Sequence, residues 1–201
     1  MKEIPKEKFP KVYEIIDAFK KDYHSPFVNN FSYILLNLVK CPKCYHLLNV
    51  EIKDNYGVSS YISLNGVIVD KISSLLERYM SKKFGPYSTF NCRNCNYKGP
   101  GKDKLVFLNS PRFLLFSFED EIQQKTLDDY IYLSDYIFPR PQKIKYNLLS
   151  FITEENNKYK AYIKNDRGMW CEYNEENIMG ENVLINNYSI IPYIVIYEKE
   201  I

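Results

Sequence analysis

Two Cys-x-x-Cys pairs constrain this chain more than any other feature. "CPKC" supplies Cys41 and Cys44, and "CRNC" supplies Cys92 and Cys95. Two intervening residues let both thiolates of a pair reach one ion from a single tight turn. Two such knuckles complete a tetrahedral set with Zn–S near ~2.3 Å. Four soft thiolates leave no open coordination position, so the predicted ion is a structural Zn2+. Such an ion contributes ~10–16 kcal/mol of apparent binding free energy, the scale of a whole domain's stability. The competing reading is four reduced cysteines holding no ion. Residues 45–91 separate the pairs, far more than the ~15–20 residues of a minimal ribbon. The intervening chain therefore has to fold by itself and bring the two knuckles together.

The setting of the cysteines supports metal over disulfides. The first residues, "MKEIPKEKFPKVYE", contain no apolar core of a signal peptide, and no apolar run approaches the ~20 residues of a membrane span. An intracellular location, cytoplasmic or nuclear, is expected. The net charge of +2 gives no electrostatic case for an anionic membrane or a large nucleic-acid footprint. His46, two residues beyond Cys44, is a surrogate ligand only if a thiolate fails. It and His24, beside a Ser-Pro turn, read as surface or capping residues. The fifth cysteine, Cys171, reads as a small apolar strand residue.

Periodicity along the chain predicts an α+β fold, with helices early and an antiparallel sheet late. Val12, Ile15, Ile16 and Phe19 mark a helix over 11–23. Ile72, Leu75, Leu76 and Tyr79 mark another over 69–83, stopped by Gly85-Pro86. "KLVFLNSPRFLLFSFED" reads as two apolar strands broken at Ser110-Pro111. Further strands are expected over 130–133, 146–152, 159–164, 169–173 and 189–198. "KYKAYIKNDRGMWCEYN" reads as a hairpin: Tyr159, Ala161 and Ile163 alternate with lysines, and Asn165, Asp166 and Gly168 make the turn.

Taken in order, these motifs resemble the ubiquitin-specific protease family of deubiquitinases. "SPFVNNFSYILLNLVKCPKC" resembles the entry into that family's zinc-bearing fingers, and "NCRNC" its second knuckle. "SYISLNG" and "ISSLLERYM" resemble the strand and short helix between them. "LVFLNSPRFLLFSFED", "YNLLSFI", "YKAYIKNDRGMWCEYNEENI" and "IPYIVIYEK" are similar to its palm strands. The resemblance implies a papain-like fingers-and-palm architecture forming a single domain over 1–201. Residues 1–30 would be a lead-in and helix, 31–105 the zinc-bearing fingers and 106–201 the palm sheet. The thumb subdomain is expected to be largely missing.

In active relatives a cysteine thiolate attacks the isopeptide bond at the ubiquitin C-terminus, a histidine takes its proton, and an Asp or Asn orients the histidine. The family's hairpin begins Gly-His-Tyr. Here the aligned residues are Asn157, Lys158 and Tyr159, so Lys158 stands at the base position. A lysine ammonium has three donors and no lone pair to accept a proton. Asn174 stands at the orienter position and is a permitted type there. No cysteine precedes Cys41, so the nucleophile's box is absent from this stretch too. The resemblance thus implies a catalytically inactive module that binds ubiquitin, a ubiquitin-like protein or another protein. One alternative is a part of an active deubiquitinase whose cysteine box lies on another chain. Another is a zinc-ribbon nucleic-acid module using Lys43, Arg93 and Lys98 with Tyr45 and Tyr97.

Overall fold

Both faces of the apolar run Leu35–Lys40 (β1) are covered, which is why the strand shows no alternation of its own. In the computed structural model, β1 is the centre of a three-stranded antiparallel sheet, between Leu47–Ile52 (β2) and Lys102–Phe107 (β6). The structure describes residues 30–52, 62–64, 71–81, 89–118, 125–139, 143–155, 158–174, 178–181 and 189–201. The expected helix over 11–23 lies outside them.

Between β2 and β6 the chain forms Ile62–Ser63 (β3), the helix Ile72–Met80 (α1) and a small hairpin, Thr89–Asn91 (β4) with Lys98–Pro100 (β5). Beyond β6 come Phe113–Ser117 (β7), Lys125–Thr126 (β8), Tyr130–Tyr132 (β9), Lys145–Glu155 (β10), Lys158–Lys164 (β11), Trp170–Asn174 (β12), Ile178–Glu181 (β13), Ser189–Ile190 (β14) and Pro192–Lys199 (β15). An eight-stranded sheet runs β13-β12-β11-β10-β15-β7-β3, with β9 also paired to β10. Its pairs are antiparallel except β3 with β7. The described fold is thus mostly sheet with one α-helix.

The main core lies where the two sheets and α1 meet. Tyr33, Leu35, Leu105 and Phe107 come from the small sheet's side. Leu114, Phe116, Tyr146, Phe151, Val195 and Tyr197 come from the large sheet, and Ile72, Leu75, Leu76 and Met80 from α1. The helical residues recur at three- and four-residue spacing, so one stripe is buried. Each such side chain contributes about 1.5–3 kcal/mol on full burial.

A tertiary bond caps the start of the helix. The Ser73 N–H donates to Asp128 Oδ2 at 2.8 Å, supplying a cap that Lys71 at the N-cap does not. At the other end the Ser81 N–H makes the last helical bond, to the Glu77 carbonyl, and Ser81 itself leaves helical geometry as the C-cap; Gly85-Pro86 lies outside the described residues. The helix is therefore shorter than the predicted 69–83. The expected strand 189–198 divides at Ile191. Residues before it pair with β8 in a separate two-stranded sheet, and residues after it join the large sheet.

Candidate metal centre and the β11–β12 hairpin

The two knuckles repeat one backbone design. The Cys41 N–H donates to the His46 carbonyl at 2.9 Å, and the Tyr45 N–H returns to the Cys41 carbonyl at 2.9 Å. Likewise the Cys92 N–H donates to the Tyr97 carbonyl and the Asn96 N–H to the Cys92 carbonyl, both at 2.8 Å. The residue after each second cysteine, Tyr45 or Asn96, has φ of 58°. That left-handed conformation is tolerated by asparagine but costs a tyrosine about 1–2 kcal/mol. The corner between β5 and β6 is pressed against β1: a Cβ on Gly101 would collide with the Val39 side chain.

These turns bring the four thiols together. Cys41 Sγ lies 3.6 Å from Cys95 Sγ, and Cys44 Sγ lies 3.6 Å from Cys92 Sγ. All four sulfurs fall within 4.8 Å of one another. A tetrahedron with metal–sulfur bonds of ~2.3 Å has sulfur–sulfur edges of about 3.8 Å, so the spacing fits zinc. It is far from the ~2.05 Å of a disulfide, and all five cysteines are free. Cys41 and Cys92 are buried and Cys44 and Cys95 half-buried.

Four thiols this close resist joint ionisation unless a cation neutralises them. The Asn94 side chain, then the His46 backbone, lower Cys44 to about 6. The Tyr97 backbone also favours the Cys95 thiolate, yet burial and the thiols of Cys44, Cys41 and Cys92 push Cys95 up to about 12. Asn94 was not singled out from the sequence. Its place between the second pair's cysteines is the only signal that would have marked it.

Lys158 and Asn174 both belong to the β11–β12 hairpin. Asn165 builds its turn, with Oδ1 accepting from the Arg167 and Met169 N–H groups at 3.0 Å, and Gly168 takes φ of 75°. The register pairs Lys160 with Asn174, Tyr162 with Glu172 and Lys164 with Trp170. Directly paired residues share a face, so Lys158, Lys160, Tyr162 and Lys164 share one with Trp170, Glu172 and Asn174. Tyr162 stacks on Phe151 with centroids 4.6 Å apart, and Trp170 meets the same ring edge-on at 5.1 Å. This is the core-facing side. The alternation read from sequence had favoured Tyr159, Ala161 and Ile163, and Ile163 is 40% exposed on the opposite face.

Along the hairpin the core face turns polar. Beyond Phe151, Tyr162 and Trp170 come Lys160, which pairs with Glu172 at 3.5 Å, and then exposed Lys158 and half-buried Asn174. Lys158 and Asn174 are diagonal neighbours on that face, because Asn174 opposes Lys160 and not Lys158. Cys171 pairs with Ile163 on the other face and is buried. The structure therefore brings Lys158 and Asn174 near each other and places Cys171 on the reverse side. His46 is exposed at the first knuckle, and His24 lies outside the described residues.

The overall fold recurs in solved structures. A chain of the SAGA DUB module Ubp8/Sgf11/Sus1/Sgf73 bound to monoubiquitin matches with TM-score 0.72 at 16% identity, covering 93% of this chain and 47% of the other. The module bound to ubiquitin aldehyde matches with TM-score 0.70 at 16% identity, covering 93% and 48%. A yeast SAGA DUBm carrying a mutant Sgf73 matches with TM-score 0.65 at 17% identity, covering 96% and 46%. The chain thus spans about half the length of the solved chains it resembles, and at this identity the likeness is one of fold. No family model and no curated protein matches the sequence. No helix among the described residues is long and apolar enough to cross a membrane.

Proposed function

We propose that this chain is a divergent ubiquitin-specific protease-like module of fingers and palm that binds ubiquitin or a related protein without hydrolysing it. One observation carries the reading. The four-thiol cluster has the spacing of a zinc tetrahedron, while the hairpin position that resembles the family's general base holds the exposed ammonium of Lys158. A four-thiolate zinc would hold the fingertip together and, with no open position, supply no chemistry of its own. Asn174 lies diagonal to Lys158 as an orienter would, but an ammonium gives it no imidazole to orient.

The likeness to modules solved with monoubiquitin and ubiquitin aldehyde supports ubiquitin as the ligand. The test is release of a fluorogenic reporter from the ubiquitin C-terminus. No release above buffer is expected, and Lys158→His alone is expected to restore none. Turnover abolished by a thiol alkylator would overturn the reading in favour of a working deubiquitinase.

A further inference from the structure

Two tyrosines of β9 stand out from the surface as a pair. Tyr130 is 50% exposed and Tyr132 42%, and their rings meet edge-on with centroids 5.4 Å apart. The β9–β10 register explains why they point outward. Ile131 opposes Tyr146, and both are buried in the core. Tyr130 opposes Asn147 and Tyr132 opposes Lys145 on the reverse face. A tyrosine held by such a ring contact has less conformational freedom to lose when a partner docks on it.

The pair stands between two clefts of opposite charge. On one side a cleft of about 560 Å³ is lined by Glu77 of α1, by Asp128 and Asp129, and by both tyrosines. Among the described residues no lysine or arginine lines it. Asp128 caps α1, whereas Asp129 is mostly exposed, 3.7 Å from Lys164 Nζ, and Glu77 is exposed on the helix. On the other side a cleft of about 590 Å³ is lined by Lys143, Lys145 and Lys199 against the Glu200 carboxylate. Glu200 engages Lys145 at 2.7 Å, and Lys143 is exposed. The basic cleft also reaches the rings: Lys145 Nζ lies 5.2 Å from the Tyr130 centroid and Lys143 Nζ 5.5 Å from that of Tyr132. Tyr132 lines both clefts and so divides them.

From these features we infer that Tyr130 and Tyr132 anchor a segment of a partner protein that carries a basic and an acidic residue a few positions apart. Its ammonium or guanidinium enters the acidic cleft, where the tyrosine rings pack on the stem. Its carboxylate meets Lys143 in the basic cleft. One tyrosine side chain separates the clefts, so a few residues of extended chain, at about 3.3–3.6 Å each, bridge them. Exposed tyrosines rimmed by charge have the make-up of an interface anchor. Nucleic acid fits poorly, because its phosphates would meet Glu77 and Asp129 as well as the lysines. The site stands whether or not the module binds ubiquitin.

The test uses the zinc-loaded full chain and fluorescein-labelled peptides in which an Arg-Arg pair and a Glu-Glu pair flank a Leu-Gly spacer, made in both orders and followed by anisotropy. One order is expected to bind the tighter, and more weakly as salt rises. Its affinity should fall about tenfold or more in Tyr132→Ala, be kept in Tyr132→Phe, and fall in Glu77→Lys and in Lys143→Glu. Zinc content, urea midpoint and ubiquitin binding of these variants are expected to stay unchanged, separating this site from the ubiquitin reading. No binding of either order, or equal binding by the charge-reversed variants, overturns the inference. So does equal binding of both orders or of an all-arginine peptide, which means charge attraction without a built site. Tighter binding of an all-glutamate peptide or an oligo-dT strand overturns it too, as the mark of an anion surface.

Discussion

Lys160 lies directly opposite Asn174 across the β11–β12 hairpin. That register places Lys158 two residues further out on the same core-side face. The face is apolar only as far as Phe151, Tyr162 and Trp170. Beyond them it presents an ammonium and an amide.

Those aromatic contacts make the hairpin's packing measurable. Trp170 is the chain's one tryptophan, 7% exposed, with Lys164 Nζ 5.0 Å from its ring. Phe151→Ala removes the ring that both Tyr162 and Trp170 touch. It is expected to cost about 3–5 kcal/mol and to red-shift tryptophan emission. Denaturant unfolding and fluorescence check both.

Zinc binding makes a prediction about thiol chemistry. Native zinc-loaded protein is expected to hold one ion per chain and to resist alkylation at all five cysteines, since Cys171 is buried. Chelation should open the four knuckle cysteines to reagent, and denaturant the fifth. Mass spectrometry after labelling reads the count. Cys44→Ser should abolish stoichiometric zinc and melt the tip.

Much of this was legible in the sequence, and the failures have physical causes. Cysteine spacing announced the knuckles because a Cys-x-x-Cys turn is local. Asn165 and Gly168 announced the hairpin turn for the same reason. The covered face of β11 was misread because both faces are half-buried, so alternation alone could not choose, and Tyr162 looked like an exception when it was the anchor. Asp128 capping α1 and the parallel pairing of β3 with β7 join residues far apart in sequence. A register shift between Val39 and Lys40 pairs Lys40 with Leu47 and Leu38 with Val50, which turns Leu47 and Val50 to one face; that is a property of pairing, invisible in β2 alone.

Alkali should unfold the protein through two buried phenols. The Tyr146 hydroxyl donates to the Pro111 carbonyl at 2.6 Å and the Tyr197 hydroxyl to the Asp128 carbonyl at 2.9 Å. Burial raises both above the usual tyrosine range. An acid whose folded pKa is raised keeps its proton longer folded than unfolded. Its stabilisation is complete below about pH 10 and is lost as pH rises toward the folded value. Stability is therefore expected to fall above about pH 10, by as much as ~2.7 kcal/mol per pH unit if both titrate. Tyr146→Phe should cost about 1 kcal/mol at neutral pH and reduce that slope. Urea melts across the alkaline range provide the measurement.

By contrast, the Arg112–Glu198 pair, 2.9 Å apart and mostly exposed on the arginine side, should matter little. Glu198→Gln is expected to cost under about 1 kcal/mol, read from the same melts at low and moderate salt.

Calorimetric titration of the zinc-loaded chain with ubiquitin is the decisive measurement. Saturable binding is predicted, weakened about tenfold or more in Cys92→Ser/Cys95→Ser while Trp170 emission shows the large sheet still packed. Absence of heat up to high micromolar ubiquitin, or binding indifferent to loss of the metal centre, would contradict a ubiquitin-binding module held in shape by its fingertip zinc.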